Sequence, residues 1–183
     1  MTVTARRLSV VSATSTPRRR LIRVVRPTSR AQHVIQMSDS WDISITDPAG
    51  VAFASLRYAG EVRFGPAYYY LSLVGYESGE RLFGCSYLYD DSQSILALQE
   101  WMDRRFDSPN TSLLLLDIRQ RRECRVAGCS DGFISATSID SEILTFRRVR
   151  YGLHASTSEA EIAYRELDRW QPFTTIKARA TLP

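Results

Sequence analysis

From Trp41 onward, apolar residues recur at alternate positions or in short unbroken runs, and Asp, Gly, Pro and Ser cut the chain between them. Alternation of that kind, bounded by turn residues, is the signature of β-strands. Trp41-Asp-Ile-Ser-Ile alternates and stops at the turn Asp47-Pro48-Ala49-Gly50. Val51–Tyr58 is predicted as a second strand, with Ala59-Gly60 turning into a short strand Glu61–Phe64. Tyr68–Val74 extends again after Gly65-Pro66. Side chains alternate across a strand, so Tyr69, Leu71 and Leu73 share one face there, and Tyr68, Tyr70, Ser72 and Val74 share the other.

The densest pattern covers residues 83–126: four apolar segments separated by Asp90-Asp91-Ser92, by a polar loop with Pro109-Asn110, and by a turn near Gln120. This is the look of one four-stranded propeller blade. Its third segment, Leu113–Leu116, is apolar on both faces, as a buried central strand is. Further strands are predicted at Phe133–Ile139 and Glu142–Tyr151. Residues 158–170 admit two readings: Ser158 and Glu161 form a helix capping box, while Ile162 and Tyr164 alternate as in a strand, and the all-β surroundings favour the strand. Trp41, Phe83 and Phe133 each precede a turn Asp (Asp47, Asp90, Asp140), a spacing that fits blade-like units and equally any meander with Asp in its turns. The expected architecture is therefore all-β: antiparallel sheets in an open, propeller-blade-like or sandwich arrangement, occupying 37–171 as one domain, with 172–183 as a tail.

Charge divides the chain. Eight of the 24 basic residues, all arginine, lie in 1–36, which has no Asp or Glu; the remaining 16 face 20 acidic residues, so 37–183 is net −4. Residues 1–36 lack a periodic apolar face and are expected to be a disordered Arg-rich tail. They fit a transit peptide, a phosphate-binding arm, or upstream sequence before a start at Met37. Three cysteines without pattern (Cys85, Cys124, Cys129) point to reduced thiols and a cytoplasmic protein. No apolar run approaches the ~20 residues of a membrane helix.

Candidate chemistry is sparse. His154 is the one histidine after Met37, which leaves a catalytic triad or zinc site depending on a single loop residue. No phosphate-loop glycines, Cys-x-x-Cys or G-x-S-x-G occur. The expectation is a protein without enzymatic activity, cofactor or metal; a carboxylate-based hydrolase is the least favoured reading. Two features point to binding instead. Tyrosines cluster around 68–89, and tyrosine is enriched at binding hot spots. Arg119, Arg121, Arg122, Arg125, Arg147, Arg148 and Arg150 lie on two late strands; if those strands paired, they would form a stripe suited to phosphates.

With GEVRFGPAYYYLSLVG, FGCSYLYDDSQSILALQEW and SLLLLDI in view, the chain over about 41–170 resembles small all-β immunity proteins encoded beside bacterial polymorphic or contact-delivered toxins. That resemblance implies a non-enzymatic protein that occludes a cognate toxin. An acidic body would steer it to a basic one such as a nuclease. The partner-binding residues expected are Tyr68, Tyr70, Asp90, Asp91, Glu100 and Trp101. The alternative is a nucleic-acid-binding module using the basic tail and the arginine stripe.

Overall fold

The computed structural model describes residues 41–62, 65–103 and 108–173. The expectations for the 1–36 tail, the Met37 start and the end of the chain from 174 lie outside these residues. Seven consecutive strands, β1 (Ile43–Thr46), β2 (Ala52–Glu61), β3 (Ala67–Leu73), β4 (Leu82–Asp90), β5 (Ile95–Trp101), β6 (Thr111–Asp117) and β7 (Arg122–Cys129), pair in chain order into one antiparallel sheet. Strands β8 (Gly132–Asp140), β9 (Ile143–Arg150) and β10 (Ser156–Ala163) form a second sheet. The short β11 (Gln171–Pro172) returns to pair with β7 and completes the first. Both sheets are open, as expected.

The four strands expected in 83–126 are β4–β7, and they do form a meander. They are not a separate blade, because β3 continues the same sheet on one side. The recurring Asp residues are turn-makers: Asp47 accepts the Val51 amide at 2.8 Å, and Asp90 accepts the Ser92 amide at 3.0 Å. Asp140 precedes Ser141 and Glu142, both at positive φ, the conformation of a tight hairpin.

Strands β5 and β6 are buried on both faces. On one face, Leu96, Leu98, Leu114 and Leu116 join Ile45, Leu56, Leu71 and Leu73, so the sheet curls until its first strands cover its middle. On the other, Ile95, Ala97, Leu113 and Leu115 meet Ile134, Leu144 and Phe146 of the second sheet. Strand β8 lies over β4–β6, and its backbone is satisfied by side chains beneath it. Thr111 Oγ1 donates to Gly132 O and accepts the Ile134 amide, both at 3.0 Å, and Gln99 Nε2 donates to Ile134 O at 2.7 Å. Buried polar groups paired in this way keep the sheets in one relative position.

Three local expectations need correction. Ala59-Gly60 is not a turn: β2 runs through it with a bulge between Tyr58 and Gly60. Glycine at φ +154° carries the bulge, and a Cβ there would sit 2.5 Å from the Tyr68 hydroxyl. The chain does not become a tail at 172, since Pro172 pairs with Arg122 and Phe173 is buried against Tyr76. The β7 and β9 arginines do not share a sheet, so no stripe arises by strand pairing. The strand reading of 158–170 holds for β10, which pairs with β9 over its full length, followed by a 3-10 turn at Tyr164–Glu166.

Candidate functional site: an aromatic row over a buried ion cluster

Strands β4, β6 and β8 begin, and β5, β7 and β9 end, at one end of the molecule. Leu82 is opposite Trp101, Trp101 opposite Thr111, and Gly132 opposite Arg150. Polar residues interrupt the apolar strands here and lie buried. Glu100, on the curled face of β5, accepts from Arg81 Nε at 2.6 Å, from Arg125 Nε at 2.7 Å and Nη2 at 2.9 Å, and from Ser112 Oγ at 3.2 Å. Arg81 Nη1 also donates to Glu123 at 2.8 Å and to the Tyr76 hydroxyl, which itself donates to Glu123 at 2.7 Å. Two arginines thus neutralise two carboxylates.

Burial alone would raise the Glu100 pKa, but the hydrogen bonds from Arg125 and Arg81 outweigh it and hold the carboxyl below its ordinary range. Burial pushes the Tyr76 phenol far up against the opposing pull of Arg81, so it stays protonated as a donor. With four donors on its two oxygens, Glu100 fixes Arg81 and Arg125 in place rather than exchanging protons. The Arg125 side chain remains 48% exposed. It borders a cleft of about 310 Å³ that Leu82, Trp101 and Met102 also line.

Beside this cluster, four aromatic rings run in edge-to-face contact. Tyr68 meets Trp101 at 6.4 Å between centroids, Trp101 meets Phe133 at 5.4 Å, and Phe133 meets Tyr151 at 5.8 Å. The row passes from the first sheet to the second. Trp101 is buried, while Tyr151 is 54% exposed and Leu153, two residues on, is 101% exposed.

Of the predicted partner-binding residues, the structure brings Tyr68 and Trp101 together and sets Glu100 beneath them in the ion cluster, 2% exposed. Tyr70 lies half-buried on the outward face of β3, opposite Arg57. Asp90 and Asp91 occupy the turn at the far end of the β4–β5 hairpin, since Asp90 pairs with Ile95 and Leu82 with Trp101. At roughly 3.3 Å per residue that is more than about 20 Å away.

Most of the arginines are engaged at home. Arg121 donates to Gly75 O at 2.7 Å, Arg148 to Gly128 O at 3.1 Å, and Arg119 reaches Ser94 at 3.4 Å. Arg122 pairs with Asp117 at 3.1 Å, Arg125 with Glu100, and Arg147 with Glu159 at 2.9 Å.

Sequence reasoning passed over Phe133 and Tyr151 in the row, and Tyr76, Arg81, Gln99, Ser112 and Glu123 in the polar layer. A signal was present: Gln99-Glu100 and Thr111-Ser112 are polar pairs inside otherwise apolar central strands. Cys124 and Cys129 are free and buried, and His154 is exposed in a 3-10 turn. Among the described residues no three His, Cys, Asp or Glu side chains converge as a metal site, and no helix is long and apolar enough to cross a membrane. No protein family, curated protein or solved structure matches this chain.

Proposed function

We propose that this protein is a non-enzymatic binding domain, an immunity-type inhibitor that occludes a cognate toxin in the cytoplasm. The observation that carries this reading is the aromatic row ending in exposed Tyr151, with exposed Leu153 two residues beyond it. Interfaces draw most of their binding energy from a few rigid aromatic and apolar anchors on a preorganised support. Here the support is two packed sheets and the Glu100 cluster. The net charge of −4 over 37–183 favours a basic partner such as a nuclease by steering its approach.

The nucleic-acid reading draws no support from the arginines, most of which spend their donors on the protein itself. The test is co-expression of the full chain with the product of a neighbouring toxin gene, followed by binding kinetics. Tyr151→Ala and Leu153→Asp are expected to speed dissociation by about tenfold or more. Charge reversal at Asp90 and Asp91, far from the row, should change only the association rate and its salt dependence. Absence of any bound neighbour product, with steep salt-dependent binding of nucleic acid instead, would replace this reading by the alternative.

A further inference from the structure

We infer that the outer edge of β10 is a strand-addition site for an extended segment of another protein, with basic residues at two alternate positions followed by a β-branched residue. The edge is regular. All eight residues of β10 pair with β9 without a register shift, and among the described residues β10 is the last strand of its sheet. The direction of its free groups follows from that register. Tyr164 donates its amide to Glu142 O at 3.1 Å, one step beyond the Ala163–Ile143 pair. Bonding alternates along an antiparallel ladder. Ser156, Ser158, Ala160 and Ile162 therefore turn their backbone groups to β9. Thr157, Glu159, Glu161 and Ala163 turn theirs outward. Neither a bulge nor a proline interrupts β10, although such devices commonly blunt an edge.

The occupant's chemistry follows from the rows that an added strand would extend. Phe133, Val149 and Thr157 are cross-strand neighbours, as are Ser135, Arg147 and Glu159. Glu161 continues the same exposed face. An added antiparallel strand places one residue opposite each of Glu161, Glu159 and Thr157, two positions apart. Opposite charges stabilise such pairs and like charges destabilise them. The matching pattern is basic-x-basic-x-(Val, Ile or Thr). A second β10 would set glutamate against glutamate, so self-pairing is disfavoured. Lys177, Arg179 and Thr181 of this chain have the same spacing. Phe173, however, packs on the opposite face of the large sheet from Ala160 and Ile162, which directs the assignment to another protein. The exposed Leu153 and Tyr151 lie just before β10, so the edge begins where the aromatic row ends.

The test uses the full chain with no toxin present, and so does not depend on the inhibitor reading. The probe is a blocked peptide of about ten residues, strand length, containing Lys-Thr-Lys-Thr-Val; the control has Glu in place of Lys. The Lys peptide is expected to protect the Thr157, Glu159 and Glu161 amides from hydrogen exchange, and the control to bind at least about tenfold more weakly. Replacing Glu159 and Glu161 together by Lys leaves every backbone bond to β9 intact, at the loss of the exposed Arg147–Glu159 ion pair, and should reverse the preference. Glu161→Pro, which removes one outward N–H, should abolish protection along the edge. The inference is overturned by failure of the Lys peptide to bind, by equal binding of the two peptides, or by protection confined to other strands. Self-association through β10, or binding only after removal of residues 174–183, would overturn it as well.

Discussion

Glu100 shows how a single side chain sets the character of one end of this protein. Its carboxylate is nearly inaccessible and holds both Arg81 and Arg125. Removing one partner of a buried pair strands the other without compensation, a loss of about 3–5 kcal/mol. Glu100→Ala is accordingly expected to lower the unfolding free energy in urea by about 3 kcal/mol. The pH dependence has a definite sign. A carboxyl whose folded pKa is depressed stabilises the fold above its unfolded value, about 4.3, and loses that contribution as pH falls through the folded value. The wild-type protein should therefore weaken below about pH 4.5, and Glu100→Gln should show a shallower acid limb in urea titrations. The polar pairs that mark this layer were visible in the sequence. Their meaning was not, because Arg81, just before β4, and Arg125, on β7, reach Glu100 on β5, and only the curl of the sheet brings those side chains together.

The bulge in β2 illustrates what a strand pattern leaves open. A glycine inside an alternating stretch serves a turn or a bulge equally well, and Ala59-Gly60 reads as the first until Tyr68 is seen lying over Gly60. Gly60→Ala would combine a positive-φ backbone with a contact near 2.5 Å, and both fall on the strand pair that presents Tyr68. An unfolding cost of about 1–3 kcal/mol is expected in urea, and a smaller one when Tyr68→Leu is present to clear the space. The two signals at 158–170 had the same ambiguity. Ser158 and Glu161 satisfy the capping-box pattern, yet β9 offers eight paired positions and an Arg147–Glu159 ion pair to a strand. Tertiary pairing decided between them. The two-residue β11 is held by β7 and by the burial of Phe173, neither of which a local pattern announces.

At the scale of the whole molecule, the all-β class and the central burial of Leu113–Leu116 follow from alternation and turn residues, and the structure has both. The curl of the large sheet and the placement of β8 across its back rest on contacts between residues distant in sequence: Leu56 with Leu96 and Leu114 in one cluster, Leu115 with Ile134 in the other. Apolar spacing encodes which face of a strand is buried but not what buries it. The same holds for the site. Tyr68 and Trp101 could be nominated separately as aromatic residues near strand ends, but Phe133 and Tyr151 join them only because the second sheet covers the first.

The pairing of β1 to β7 in chain order means that a ribosome delivers each strand directly beside its predecessor. The large sheet can grow one strand at a time as the chain emerges. One of its faces cannot be finished that way. Leu88, Ile95, Ala97, Leu113 and Leu115 have no cover until Ile134, Leu144 and Phe146 have been synthesised. During that interval the growing polypeptide presents a bare apolar sheet to its surroundings, the situation that recruits chaperones. Nascent chains stalled just far enough on for Cys129 to have left the exit tunnel should therefore bind a hydrophobic dye and a holdase chaperone, and chains stalled far enough on for Arg150 to have left it should bind neither. The vulnerable moment in this protein's life thus falls between its seventh strand and its ninth.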